Sequence, residues 1–148
     1  MKLPRFLQTT VLCLAVVLTA CAPVPATGPD TMALDCPARF GPPLLIFQLY
    51  MGRSMPPFGE VTDADWDAFV DRVVTPALPN GFTTFDANGG WMSPASGKTI
   101  RERTKVLMTA LPNAPDSIAK VKQIRNDYQV KFHQQVVGMT VSPACGSF

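Results

Sequence analysis

Residues 44–51, LLIFQLYM, are apolar almost throughout, with Gln48 and Tyr50 on one parity. A short, nearly unbroken apolar run of this kind predicts a buried central strand. Residues 52–61 lack periodicity and read as a loop. Thr62 then offers a cap, and Asp65 stands three residues later, as in a capping box. Asp63, Asp65 and Asp67 suit the positive end of a helix dipole, and Trp66, Phe69, Val70, Val73 and Ala77 form an apolar stripe. Pro76 and Pro79-Asn80-Gly81 end that helix. A second strand is predicted over 82–92, with a bulge at Asn88-Gly89-Gly90. A third runs through 99–111, TIRERTKVLMTAL, where apolar and polar residues alternate. Prolines at 112 and 115 break it. Asp116 or Ser117 starts a second helix with Ile118, Val121, Ile124 or Arg125, Tyr128 and Phe132 along one side, and residues 136–142 form a fourth strand.

The order β-α-β-β-α-β, with right-handed crossovers, predicts an α+β ferredoxin-like sandwich: a four-stranded antiparallel sheet with two helices on one face. In that topology the first and last strands are antiparallel neighbours. Cys36 and Cys145 flank the two ends that meet, so a disulfide between them is expected. Closing so long a loop contributes about 4 to 5 kcal/mol in the chain-entropy picture.

Strand parity sorts the side chains. Leu45, Phe47, Leu49 and Met51 are expected to face the helices, with Ile100, Thr104, Val106 and Met108, and with Val137, Met139 and Val141. The open face then receives Ile46, Gln48, Tyr50, Arg101, Arg103, Lys105 and Asp86. Three uses of such a face are open: a solvated surface with Arg and Lys stems over apolar neighbours, a homodimer interface, or a site for an anionic or aromatic small molecule.

The N-terminus adds an address. Lys2 and Arg5 precede an apolar run from Val11 to Ala20, too short for an ordinary membrane span, which needs about 20 apolar residues. The run closes on Leu18-Thr19-Ala20-Cys21, which resembles the lipobox of bacterial lipoproteins. That resemblance implies a signal peptide over 1–20, lipidation of Cys21 and a membrane-anchored protein of the cell envelope. Ala22 in place of an aspartate implies the periplasmic face of the outer membrane rather than retention in the inner one. Residues 21–43 are proline-rich and read as a tether, and 44–148 as the folded domain.

Charge and cysteine use narrow the chemistry. The whole chain has 13 basic and 11 acidic residues. Without Lys2 and Arg5 the balance is zero, so no long-range field draws nucleic acid, and none is expected as a partner. The cysteine pair fits an oxidising compartment. A single histidine, His133, and no Cys-x-x-Cys leave too few ligands for zinc or haem, so neither metal nor cofactor is expected. Ser54 and Ser96 have no nucleophile-elbow context, and Gly89-Gly90 opens no helix, so it is no phosphate loop.

The segments LYMGRS, TDADWDAFV, GFTTFDANGGW and RERTKVL resemble a family of small bacterial secreted or lipoprotein domains catalogued as domain of unknown function 3574. The likeness spans about residues 44 to 142. It implies an α+β domain and no particular activity. The expected function is therefore a lipid-anchored binding or interaction module of the envelope, working through the open face or the loop around Arg53. The alternative is a small cofactor-independent enzyme with Tyr50, Arg101 and Arg103 around an anionic or aromatic substrate. No nucleophile, base pair or metal set stands out to favour the enzyme.

Overall fold

Leu45, Phe47, Leu49 and Met51 are no more than 1% exposed and fix the inner face of the central strand β1 (Pro43–Gly52) in the computed structural model, which describes residues 35–147. Two further long strands, β4 (Thr83–Met92) and β5 (Thr99–Pro112), and the last strand β6 (Gly138–Cys145) complete a sheet in the order β4-β5-β1-β6. Every neighbouring pair is antiparallel. Between β1 and β4 lie a small hairpin, β2 (Ser54–Met55) and β3 (Gly59–Glu60), and a helical segment. The fold is the expected α+β ferredoxin-like sandwich.

The helical segment begins as α1 (Asp63–Phe69), and both halves of the capping box form: Thr62 Oγ1 accepts from Asp65 N–H, and Thr62 N–H donates to Asp65 Oδ2. A π-helical stretch, Val70–Val74, follows and leads into the short α2 (Thr75–Ala77). The wider π turn shifts the stripe by one position, so Val74 rather than Val73 is fully buried. The second long helix, α3 (Pro115–Lys131), presents Val121, Ile124 and Tyr128 to the core. Trp66, Phe69, Tyr128 and Phe132 form one aromatic cluster with ring centroids 4.7–6.2 Å apart. Burying each such ring contributes about 1.5 to 3 kcal/mol. Tyr128 also donates its hydroxyl to Gly52 O at 2.9 Å, tying α3 to the end of β1.

Two local expectations change. The β4–β5 register is unbroken from Thr83↔Met108 to Met92↔Thr99, so no bulge interrupts it at Asn88–Gly90. Glycine is needed at 89 for space: a Cβ there would lie 3.0 Å from Thr104 Oγ1. At the other end, β6 continues to Cys145, and a disulfide joins Cys145 to Cys36. Gly146 N–H donates to Pro42 O, so residues 36–42 are bound to the sheet rather than free of it.

Candidate functional site

Residues paired directly across antiparallel strands share a face. Met51 pairs with Lys105, Leu49 with Leu107 and Leu45 with Leu111, whereas Tyr50 pairs with Val106 and Gln48 with Met108. Asp86 pairs with Lys105, Asn88 with Arg103 and Gly90 with Arg101. Gln48 and Tyr50 therefore lie on the open face, while Asp86, Arg101, Arg103 and Lys105 lie on the helix side. This corrects the expected parity of β5. The physical reason is that Thr104, Lys105, Val106 and Leu107 are all buried, so alternation is silent about which side is inner along this stretch. Leu107 and Leu111 pack with the core, Lys105 is buried against two acids, Arg103 reaches a third from a half-exposed position, and Arg101 stays exposed.

Those acids surround Arg53. Its side chain is 1% exposed. Nε donates to Val61 O at 2.7 Å and one terminal nitrogen donates to Asp63 Oδ1 at 2.9 Å. Glu60 and Asp86 each approach to 3.9 Å. Lys105 bonds Asp86 at 2.8 Å and Asp63 at 3.2 Å, with Trp66 below its ammonium, and Arg103 reaches Glu60 at 3.1 Å. Three cations and three carboxylates thus knit the β2–β3 hairpin, the start of α1, β4 and β5. The side-chain hydrogen bond from Lys105 holds the Asp63 carboxyl below its ordinary value, opposed by partial burial and helped by the Arg53 charge. Burial works against the Lys105 charge, but hydrogen bonds to Asp86 and Asp63 outweigh it and raise its pKa. The network is satisfied internally, so the Arg53 loop braces the end of the sheet.

The open face differs in character. The register places Leu44, Ile46, Gln48 and Tyr50 of β1 beside Val106, Met108 and Ala110 of β5, with Thr83, Phe85 and Trp91 on β4 and Thr140 and Ser142 on β6. Tyr50 donates to Gln48 Oε1 at 2.7 Å and approaches Thr140 Oγ1 at 3.5 Å, so the polar groups at its centre partner one another. Tyr50, Phe85, Trp91 and Ile100 remain exposed. At the Pro42 end the face deepens into an apolar groove of about 780 Å³ between Leu44, Ile46, Phe82, Met108 and Ala110. Among the strands of this face only Glu102 carries a charge, at the opposite end. An anionic ligand here would meet Glu102 and not the three cations.

Sequence reasoning did not single out Glu102. Its parity was legible once Leu107 and Leu111, rather than Val106 and Met108, are taken as the inner pair. Cys21 lies outside the described residues. Among the described residues no helix is long and apolar enough to cross a membrane.

A family model described as a protein of unknown function (DUF3574) matches residues 47–148. No curated protein matches. Among solved structures, a phage SAM lyase in complex with S-methyl-5'-thioadenosine is similar with a TM-score of 0.55 at 14% identity, over 73% of this chain and 87% of that one. CutA from Synechococcus elongatus is similar with a TM-score of 0.46 at 9% identity, over 70% of this chain and 78% of the other.

Proposed function

Because this chain belongs to the DUF3574 family, which has no described function, its role has to be read from its surfaces, and we propose that it is a lipid-anchored interaction module of the cell envelope that pairs with a second copy of itself through the open sheet face. The observation that carries this reading is a sheet face that no described element covers, charge-free at its centre, where the few polar groups bond one another beside exposed rings. Solvated sheet faces usually carry polar side chains, and contiguous exposed apolar surface marks an interaction site.

A second copy suits the face for three reasons. With Arg101, Arg103 and Lys105 on the helix side, stacking two such faces brings no like charges together at the centre. The face offers both projecting rings, Tyr50 and Phe85, and an apolar groove that such a ring can enter, as a self-complementary two-fold contact requires. Four strands about 4.8 Å apart and about eight residues long at roughly 3.3 Å per residue give a face of roughly 500 Å² in projection. That is smaller than the ~800 Å² per partner of a standard interface, so the pairing is modest in affinity. Confinement of both copies to one membrane by lipid at Cys21 raises their effective concentration and offsets this. The lipobox-like segment and the Cys36–Cys145 disulfide support the envelope setting.

Cross-linking in cells tests the pairing on the protein as it exists. Gln48→Cys places a thiol at the middle of β1 on the open face. A short bis-maleimide added to the periplasm should yield a covalent dimer on a denaturing gel. The same thiol placed on the helix-side surface by Asn126→Cys should not. Equal yields from both variants would refute a sheet-face contact.

A further inference from the structure

Glu60, Asp63 and Asp86 each have a cation within 4.0 Å, but Glu102 has none among the described residues. It stands on the other face of β5 from Arg103 and Lys105. Its Oε1 accepts the Ser54 N–H at 2.9 Å, which fixes the carboxylate over Gly52. A Cβ on Gly52 would lie 2.5 Å from that oxygen, so glycine leaves the room in which Glu102 lies. The carboxylate borders a cavity of about 570 Å³ between the sheet end, the β2–β3 hairpin and the α3–β6 connection. Trp91, Ile100, Pro56, His133 and Val136 line it, and the Trp91 ring is half exposed. Gln134, also on the wall, is committed elsewhere: its amide donates to Ser54 O and Phe132 O.

We propose that this cavity binds a small organic cation, an ammonium or similar onium group attached to an apolar or aromatic body, with Glu102 as counter-ion and Trp91 as a π surface. An anion would face the unpaired Glu102 carboxylate. A wholly apolar guest would strip water from that carboxylate with nothing in return. A cation meets both a negative charge and an indole face, the pairing by which onium groups are recognised, and its apolar body covers Ile100 and Val136. The cavity lies at the hairpin end of the open face, away from the apolar groove at the Pro42 end, and its test reads ligand binding rather than self-association, so the two proposals fail separately.

Calorimetric titration of the full chain in uncharged detergent with benzyltrimethylammonium tests it, with phenylacetate as a probe of similar size and opposite charge. The cation should bind saturably and phenylacetate should not. Glu102→Gln keeps an acceptor for the Ser54 N–H and should weaken cation binding at least tenfold. Trp91→Leu, at an exposed position, should weaken it several-fold and covers the case in which the glutamine variant fails to fold. No saturable binding of the cation, equal binding of phenylacetate, or unchanged affinity in either folded variant would overturn the assignment.

Discussion

Lys105 Nζ lies 2.8 Å from Asp86 Oδ1 and 3.2 Å from Asp63 Oδ1, so one buried ammonium ties β4 to the first turn of α1. Its consequence is a stability that depends on pH at both extremes. The Asp63 carboxyl is held low by the Lys105 hydrogen bond, and Asp65 by hydrogen bonds from Thr62. A depressed carboxyl stabilises the fold above its unfolded value of about 3.9, and that contribution disappears as the pH falls through the folded value. Lys105 is raised despite burial by its bonds to Asp86 and Asp63, and burial pushes the Tyr128 hydroxyl up. Raised groups contribute fully below their unfolded values, roughly 10 to 10.4, and the contribution is lost as the pH climbs through the folded ones. The urea midpoint should therefore be level from about pH 5 to about 9.5 and fall on either side. Lys105→Met should flatten part of the alkaline fall and leave the remainder to Tyr128. An alkaline limb unchanged by that substitution would remove Lys105 from the explanation.

Arg53 should matter more to stability than any of its partners. It is buried and hydrogen-bonded to Val61 O, while Asp63, Asp86 and Glu60 are largely exposed. Arg53→Lys cannot keep the Nε bond and the carboxylate contacts together, since an ammonium lacks the guanidinium fork. A loss of about 2 to 3 kcal/mol is expected from urea unfolding. Asp63→Asn should cost less than Arg53→Lys, because that pair is screened on its exposed side. The reverse ranking would mean that Arg53 is not the brace of the hairpin.

Anchoring is tested at Cys21. Cys21→Ser should leave the protein unprocessed or release it from the membrane fraction, as seen by fractionation and immunoblotting. A variant that matures and partitions like the wild type would show that the lipobox-like segment does not act as one.

The inner face of β1 was legible because Leu45, Phe47, Leu49 and Met51 stand at one parity, which packs against the apolar stripes of the helices. The capping box at Thr62 and the meeting of Cys36 with Cys145 were legible for equally local or topological reasons. The phase of β5 was not. Val106-Leu107-Met108 is apolar on both parities, and Lys105 enters the inner side only because Asp63 and Asp86, far from it in sequence, wait there. The Gly89-Gly90 pair signalled a bulge, but Gly89 supplies clearance beside Thr104. With the phase of β5 reversed, the candidate site changes from a basic face to an apolar one. Arg53, a candidate contact by its loop position, is a buried brace because Val61 O and Asp63 meet its side chain.

The central claim is that two copies meet through that apolar face, and sedimentation equilibrium of the full chain in density-matched detergent micelles tests it most directly. The wild type should fit a monomer–dimer equilibrium. Met108→Lys puts a partly exposed cation at the floor of the face, where a two-fold axis sets it near its own copy. It should sediment as a monomer at every concentration while keeping the wild-type near-ultraviolet circular dichroism. A wild type that stays monomeric throughout, or a folded Met108→Lys that dimerises as strongly as the wild type, would contradict the claim.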